Sequence, residues 1–404
     1  MPISHLSPEI RKARVARAEV KLVQDGKPLA NREVTVRQVR HKFMFGGTGW
    51  DAIPLANGML SGGTKEKAEQ RMERFCDLFN QATLPFYWAN FEKERGKPNT
   101  KAIMNAALWF KERGFVLKGH PLCWHTLAPD WLLGLNNDEI RRLQVERIRR
   151  DVSDFAGVVD MWDVVNEAVI MPVFDRYDNG LTRLCKEMSR IPLLRLMFQT
   201  ARETNPKATL LINDFDMSSA YDILIEGCLE AGLKFDVIGI QSHMHQGYWG
   251  VEKTLRILEH FERFNLPIHF TETNLVSGTI MPKEIEDLND FKAKEWPSTP
   301  EGEERQAREL VLHYETLFAH PLVEALTYWD FVDGGWLNAP AGLLRKDGSV
   351  KPGYEELHRR IKGDWWFGEE KMMTDAQGKI AFEGILGTYE AVWEGGQAQF
   401  VVEK

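Results

Sequence analysis

The sequence is poor in the features that mark several large classes of protein. It contains four cysteines (Cys76, Cys123, Cys185 and Cys228), and no two of them form a Cys-x-x-Cys pair. This spacing indicates neither a zinc site nor a disulfide framework, so we expect four buried thiols. The formal net charge of −8 offers no basic surface to nucleic acid, and a neutral or weakly charged partner fits better.

Long apolar runs are also absent. No stretch reaches the length of a transmembrane helix, and the N-terminus carries basic side chains but no apolar run of signal-peptide length. We therefore expect no membrane partner and, for the sequence as written, a cytoplasmic protein. A secreted or periplasmic protein whose leader had been removed would look the same. The glycine-rich stretch FGGTGW, from Phe45, lacks the Gly-x-Gly-x-x-Gly order, which disfavours a nucleotide-binding role.

What the chain does have is a regular alternation of short apolar runs and amphipathic stretches between residues 43 and 333. Eight runs rich in β-branched and aromatic residues are predicted strands, and they begin at Phe43, Phe79, Val116, Asp160, Thr209, Asp236, Pro267 and Ala325. Strands that alternate with helices imply a parallel sheet, and eight such units are what a (β/α)8 TIM barrel needs. The rival is a doubly wound open sheet, which usually carries a glycine-rich phosphate loop after its first strand.

The two ends of the chain follow a different pattern. Residues 15–40 and 364–404 alternate with period two around short turns, which predicts β-hairpins. An isolated hairpin is marginally stable, so we expect the two ends to pair into one small accessory β-sandwich beside the barrel. The predicted organisation is an N-terminal β-segment at 1–40, a catalytic (β/α)8 barrel at 41–363 and a C-terminal β-segment at 364–404.

Polar side chains gather where the predicted strands end. The stretch WDVVNE, from Trp162, is a near-continuous apolar strand that finishes with Asn166 and Glu167. A charge in a buried strand is costly, so Glu167 should either pair with a cation or lie at a mouth where a shifted pKa is useful. The other strand ends contribute His120, Trp124, His125, Asn213, Asp214, Gln241, His243, His245, Glu272, Asn274, Trp329 and Asp330. In a barrel, such residues share one pocket.

Two of these residues, Glu167 and Glu272, would face each other across the barrel mouth. Paired carboxyl groups suit glycoside hydrolysis, because one with a raised pKa protonates the leaving oxygen while the other stabilises or attacks the developing oxocarbenium carbon. Tryptophan covers the apolar faces of sugars, and Asn, Gln and His satisfy their hydroxyls. His243 and His245 form a His-x-His pair of the kind that binds metal, but Gln241 beside them favours sugar binding.

Six motifs, taken together, resemble those of a known family. GHPLCWH, WDVVNEAV, INDFD, IGIQSHMH, FTETN and YWDFVDGGW stand in the order typical of glycoside hydrolase family 10, the endo-β-1,4-xylanase family, across residues 43–362. The resemblance implies a retaining mechanism with Glu167 as acid/base and Glu272 as nucleophile, their carboxyl groups about 5–5.5 Å apart. It also implies that a set of polar and aromatic residues holds the sugar: His120, Trp124, Asn166, Gln241, His243, Trp329 and Trp336.

The chain departs from the family pattern in two places. After strand two, members carry a motif like TPENEMKW, whose Glu, Asn and Lys grip the next sugar on the non-reducing side, whereas this chain reads ATLPFYWANFE from Ala82. We expect Tyr87 and Trp88 either to contact substrate and alter specificity or to pack against the terminal β-domain. The family's Glu-x-Asp is Glu272-Thr273-Asn274 here, so Asn274 cannot give His243 the charge of an aspartate.

The predicted function is therefore cleavage of xylan or a related β-glycan by a retaining glycoside hydrolase that needs no cofactor or metal, with a polysaccharide or oligosaccharide as partner. Three alternatives stay open: a β-glycosidase for another β-glycan or for short oligosaccharides, a metal-dependent barrel hydrolase using His243 and His245, and a non-catalytic sugar-binding barrel. Three tryptophans, Trp50, Trp109 and Trp393, are expected to be packing residues. His125 is expected to be hydrogen-bonded behind the residues that contact substrate, without contacting substrate itself.

Overall fold

The eight predicted strands form and close into a barrel. In the computed structural model, which describes residues 3–404, barrel strands one to eight are Met44–Gly47, Gln81–Pro85, Val116–His120, Met161–Asn166, Thr209–Asp214, Val237–Met244, Ile268–Leu275 and Val323–Tyr328. Neighbouring strands are parallel, and strand eight pairs with strand one to complete the ring. The (β/α)8 prediction is confirmed, and the doubly wound open sheet is excluded.

Burial of the strands explains why they could be recognised as nearly continuous apolar runs. All six residues of strand four and all eight of strand seven are buried. A parallel sheet covered by helices on one face and filled by side chains on the other leaves no solvated face that would require alternation. The polar residues of these strands therefore collect near their carboxyl ends, where the barrel opens.

Helices follow the strands and cover the outside of the barrel. The α-helices are Pro8–Arg14, Ala52–Ala56, Gly62–Leu78, Trp88–Phe91, Thr100–Lys111, Asn137–Asp154, Gly180–Met188, Arg190–Thr204, Ser219–Glu230, Val251–Glu262, Pro300–Phe318 and Pro352–Arg359. Helix Asn137–Asp154 begins with a capping box between Asn136 and Glu139, which satisfies amide groups that the first turn leaves unpaired. None of the helices within residues 3–404 has the length and apolarity needed to span a membrane.

The two ends of the chain combine into accessory sheets. Their strands are Val15–Lys21, Val23–Gln24, Lys27–Pro28, Glu33–His41, Glu370–Met373, Lys379–Ile385, Gly387–Trp393 and Gly396–Val402. Val15–Lys21 pairs with Lys379–Ile385, whereas Glu33–His41 lies between Glu370–Met373 and Gly387–Trp393. These two sheets, of two and four strands, thus mix N-terminal and C-terminal strands, whereas Val23–Gln24 and Lys27–Pro28 pair only with each other.

Aromatic rings fill the space between the two accessory sheets. The ring of Phe382, from the two-stranded sheet, lies 5.6 Å from Tyr389 and 6.2 Å from Phe400 of the four-stranded sheet. This confirms the accessory β-sandwich. The boundaries 1–40, 41–363 and 364–404 stay predictions.

The N-terminal hairpin prediction holds only at the tip of the hairpin. Val23–Gln24 pairs with Lys27–Pro28 around Asp25 and Gly26, which have φ angles of 51° and 75°. The longer strands on either side join different sheets, because strand pairing is decided by contacts with the distant C-terminal segment. Alternation in the sequence shows that a strand has two unlike faces, but it does not name the neighbouring strand.

The accessory sandwich contacts the barrel at the end away from the mouth. The buried guanidinium of Arg14 donates to the carbonyl oxygens of Phe318, His320 and Val323, at distances of 2.6 to 2.7 Å. Val323 is the first residue of strand eight, so this contact lies at the amino-terminal end of the strands. Arg14 directly precedes strand Val15–Lys21, so this accessory strand begins at the end of the barrel opposite the mouth.

Candidate active site

One hydrogen-bonded network joins the predicted polar residues at the carboxyl ends of four strands. Asn213 Nδ2 lies 2.7 Å from Asn166 Oδ1 and 3.1 Å from Glu272 Oε1. Gln241 donates to Asn166 Oδ1 at 3.1 Å and to Glu167 Oε1 at 3.3 Å, and Asn166 Nδ2 donates to the same oxygen of Glu167 at 3.1 Å. The two predicted glutamates are thus held by a shared set of amides.

Glu167 directly follows strand four and has a φ of 57°, in the left-handed region. A residue other than glycine costs about 1–3 kcal/mol there, so the surroundings must hold it in place. Its N–H donates to the carbonyl of Asn213 at 2.8 Å, and its Oε2 accepts from Trp124 Nε1 at 2.8 Å. Burial raises the pKa of Glu167 to about 8, and the charges of Glu272 and Asp214 act in the same direction. At neutral pH this carboxyl group therefore carries a proton.

Glu272, near the end of strand seven, has the opposite environment. Its Oε2 lies 2.9 Å from His243 Nε2, its Oε1 accepts from Asn213, and His120 Nε2 lies 3.8 Å from Oε1. Burial alone would raise the pKa of Glu272, but His120 and His243, followed by Lys118, hold the pKa below its ordinary value. At neutral pH Glu272 is therefore ionised while Glu167 is protonated.

A buried row of three polar side chains, Lys118, Asp163 and His120, lies beneath Glu272. Asp163 Oδ2 is 2.8 Å from Lys118 Nζ and 2.7 Å from His120 Nδ1, and all three side chains are at most 2% exposed. Burial would raise the pKa of Asp163, but Lys118 and His120 hold it below its ordinary value. Lys118 and Asp163 were not among the site residues predicted from the sequence. The available clue was a carboxylate in the middle of the apolar stretch WDVVNE.

Aromatic rings form a wall at the mouth. The ring of Tyr87 lies 5.7 Å from Trp124 and 5.5 Å from His120, and the ring of Trp329 lies 5.1 Å from His120. Trp50 continues the wall, because its ring is 6.2 Å from Tyr87 and 6.0 Å from Trp329 and 38% of the residue is exposed. The expectation that Trp50 is a packing residue was wrong, and its place just after strand one was the clue.

The segment after strand two divides its aromatic residues between the site and the core. Tyr87 joins the wall, whereas Phe86 and Trp88 are buried. The indole of Trp88 donates to Glu92 at 3.2 Å and packs 5.5 Å from the ring of Trp131. These contacts set Trp88 against Glu92 and Trp131 instead of in the aromatic wall, which disfavours the predicted contact of Trp88 with substrate. Trp88 does not pack against the terminal β-domain either, since that domain meets the barrel at its other end.

The two remaining histidines of the predicted site are buried and neutral. His125 Nε2 lies 3.9 Å from Glu167 Oε2, and its ring packs 4.4 Å from Phe174. The ring of His245 packs 5.1 Å from Trp336. Burial lowers the pKa of each histidine to about 3.

The metal-dependent alternative requires a set of ligands, and the geometry of the histidine pair does not supply one. His243 is engaged with Glu272, while His245 lies among aromatic rings. Within residues 3–404, no three or more His, Cys, Asp or Glu side chains are grouped so that they could share a metal ion. The four cysteines are free thiols; three are buried and Cys76 is partly exposed.

The loops after strands four, seven and eight meet at the rim of the mouth. Arg176, after strand four, forms an ion pair of 2.6 Å with Asp290, after strand seven. The neighbouring Asn289 accepts a hydrogen bond of 3.3 Å from the indole of Trp336, and that ring lies 4.7 Å from His243. These contacts place Trp336 beside the histidine that binds Glu272.

A protonated and an ionised carboxyl group, set among indoles and amides at the mouth of a TIM barrel, are the arrangement that suits the cleavage of glycosidic bonds. The class of protein is accordingly that of the glycoside hydrolases. Comparison with known proteins gives the family: the model of Glycosyl hydrolase family 10 matches residues 58–359, and the chain belongs to this family.

The chain is also similar in sequence to individual proteins and in fold to solved structures. The chain is 26% identical to endo-1,4-beta-xylanase B of Thermotoga neapolitana over 279 residues, which cover 66% of this chain and 74% of that protein. It is also 26% identical to the anti-sigma-I factor RsgI6 of Acetivibrio thermocellus over 402 residues, or 94% of this chain and 45% of that protein. The crystal structure of native xylanase 10B from Thermotoga maritima is similar in fold, with a TM-score of 0.62, 24% identity and coverage of 80% of this chain and 96% of that one.

Proposed function

We propose that this protein is a retaining enzyme that cleaves xylan or a related β-1,4-linked glycan, with Glu167 as acid/base and Glu272 as nucleophile. The observation that carries the proposal is the unequal charge of two carboxyl groups held by one network of amides. The protonated group has a proton to give to the leaving oxygen, and the ionised group has a lone pair to offer the anomeric carbon. A rigid barrel keeps both groups in place for the reaction.

The proposed reaction has two displacements. Glu272 forms a bond to the anomeric carbon while the glycosidic bond breaks and the leaving oxygen takes the proton of Glu167. Glu167, now ionised, removes a proton from water; the water oxygen attacks the same carbon, and the bond to Glu272 breaks. Each displacement inverts the carbon, so the product keeps the configuration of the substrate. Water and two carboxyl groups suffice, and no cofactor enters.

The neighbours of the two glutamates would hold the sugar at the cleavage point. Amide and imidazole groups suit sugar hydroxyls, and indole rings suit the apolar faces. The proposed sugar-binding residues are His120, Trp124, Asn166, Gln241, His243, Trp329 and Trp336, with Tyr87 and Trp50 extending the aromatic wall.

Xylan is the first choice of substrate because relatives of this chain are named as xylanases, for example endo-1,4-beta-xylanase B. A second candidate, another β-glycan or a short oligosaccharide, is favoured by the strand-two segment. Where the family pattern has polar side chains for the next glycone sugar, this chain presents the ring of Tyr87 and buries Phe86 and Trp88. An aromatic ring stacks on a sugar but reads its hydroxyls less closely than polar groups do.

Two measurements test the proposal. Activity on a panel of β-glycans and aryl β-glycosides, with product analysis, identifies the substrate and shows whether cleavage is internal or terminal. Proton NMR of the first product formed reads the anomeric configuration before mutarotation. We expect the β-anomer; release of the α-anomer would show a single displacement and contradict the role of Glu272.

The pH profile follows from the two pKa shifts. Glu272 is active as the ion, so kcat/KM should rise as pH passes its lowered pKa. Glu167 is active in the protonated form, so kcat/KM should fall as pH passes about 8. Glu167→Gln should remove the alkaline limb on a substrate with an activated leaving group. Persistence of that limb would mean that another group carries the proton.

Tyr87→Ala and Trp88→Ala form a matched pair for the strand-two segment. Loss of the Tyr87 ring should lower kcat/KM by about tenfold, since stacking contributes roughly 0.5–1.5 kcal/mol beyond area burial, with little change in the melting temperature. Loss of the buried Trp88 should cost about 3–5 kcal/mol of stability and leave kcat/KM of the folded enzyme unchanged. The measurements are kinetics and thermal unfolding. A Tyr87→Ala enzyme with unaltered kcat/KM on long and short substrates would mean that this ring does not bind sugar.

A further inference from the structure

His243, which contacts the proposed nucleophile, faces an acceptor at each of its ring nitrogens. Nε2 lies 2.9 Å from Glu272 Oε2, and Nδ1 lies 2.5 Å from Asn274 Oδ1. A neutral imidazole has a single N–H, whereas the imidazolium ion has two. The arrangement around His243 therefore suits the imidazolium ion, which can donate to both acceptors at once.

The orientation of the Asn274 amide depends on a third residue. Asn274 Nδ2 donates to Asp330 Oδ2 at 3.1 Å, and this bond turns Oδ1 of the amide toward His243. The oxygen and nitrogen of an amide are told apart by such partners, and a carboxylate accepts only from the nitrogen. Without a carboxylate at position 330, the amide would be free to turn its NH2 group toward Nδ1 of His243.

From this geometry we propose that Asp330 is a positioning residue for the nucleophile, acting through Asn274 and His243. In the family pattern, an aspartate directly beside the histidine carries a negative charge. Here Asn274 stands beside the histidine, and Asp330 supplies the negative charge one side chain further along the network. The inference rests on the proposed role of Glu272. It adds a determinant on strand eight that neither the motif around Glu272 nor the motif around His243 contains.

The end of strand eight is built to hold this carboxylate. Asp330 is 6% exposed, and its Oδ1 accepts from the backbone N–H of Trp336 at 3.2 Å. A side chain at Gly335 would place its Cβ only 2.1 Å from Asp330 Oδ1, so glycine leaves the room that the carboxylate occupies. Burial raises the pKa of Asp330 to about 6, against the opposing effects of the Trp336 N–H and His243, so the group is ionised at neutral pH. Other ionisable groups near Asp330 are Asp333, Tyr87 and Tyr328.

An amide–carboxylate swap tests the inference. Asp330→Asn removes the charge and should lower kcat by about tenfold to a hundredfold, the range expected for a lost hydrogen bond to a charged group. KM should change by less than about threefold, because Asp330 is buried and is proposed to act through Asn274 and His243. Asn274→Asp alone sets two carboxylates in contact and should also lower kcat. The double variant Asn274→Asp/Asp330→Asn keeps one amide and one carboxylate and should restore kcat to within about threefold of the parent.

The assay uses an aryl glycoside with a poor leaving group, so that attack by Glu272 limits the rate. Asp175→Asn, on the exposed loop after strand four, is the matched control and should match the parent. Unchanged kcat in Asp330→Asn would overturn the inference. So would a double variant that is as slow as Asp330→Asn although its thermal unfolding shows that it is folded. Failure of the proposed function is a separate result: Glu272→Ala would then retain turnover.

Discussion

Replacing Glu272 by alanine is expected to reduce kcat by on the order of 10⁵-fold or more on every glycoside, whatever its leaving group. The carboxylate of Glu272 would make the covalent bond to the anomeric carbon, and no other step replaces that bond. Its lowered pKa, set by His120 and His243, keeps it ionised across the working range. The loss should therefore be in kcat, measured on an activated aryl β-glycoside and on polysaccharide alike.

Added azide gives this prediction a stereochemical readout. Azide can occupy the space left by the carboxylate of Glu272 and attack the carbon directly, so Glu272→Ala should form the α-glycosyl azide, with inverted configuration. Glu226→Ala, on the outer face of helix Ser219–Glu230, is the control because this glutamate is exposed and pairs with Arg263, and it should keep full activity. A β-glycosyl azide from Glu272→Ala would assign the nucleophile to another residue.

Replacing Glu167 by alanine should have an effect that depends on the leaving group. Proton donation by a positioned acid contributes about 10²–10⁴-fold, so turnover of polysaccharide should fall by this factor. A dinitrophenyl glycoside needs no proton, so its first displacement should proceed nearly unimpaired and the glycosyl-enzyme should accumulate. A burst of phenol followed by slow turnover, with a lowered KM, is the expected observation.

Azide should also rescue Glu167→Ala, but the glycosyl azide formed should have the opposite anomeric configuration to that from Glu272→Ala. It can attack the accumulated glycosyl-enzyme from the side that Glu167 serves, giving the β-glycosyl azide with retained configuration. The two alanine variants thus yield azides of opposite configuration from one substrate. Equal losses of Glu167→Ala on activated glycoside and polysaccharide would contradict the role of this residue as the acid.

Much of the fold could be predicted because the information lies in short stretches. Strand four is buried at every position and reads as MWDVVN, so composition alone identifies it. The terminal strands were harder, since Val15–Lys21 finds its partner in Lys379–Ile385, more than three hundred residues away. Their period-two pattern predicts strands correctly and says little about which strands pair.

The site, like the fold, has features that the sequence predicts and features that it does not. Glu167 and Glu272 could be located from sequence because both stand near the carboxyl ends of apolar strands, and the topology of a barrel brings such ends together. Tyr87 and Trp88 are adjacent in the chain, yet one lines the mouth and the other packs on Trp131. Adjacent residues project in different directions, and only the path of the backbone decides which one faces the mouth.

The order of amino acids was thus sufficient for the barrel, the accessory strands and the meeting of Glu167 and Glu272 in one network. The tertiary structure decided their charge. Glu167 holds a proton because burial raises its pKa to about 8, and Glu272 loses its proton because His120 and His243 face it. The link from Asp330 through Asn274 to His243 likewise joins strands six, seven and eight. Desolvation and charge–charge interactions depend on distances through space, and residues far apart in the sequence set those distances only when the chain has folded.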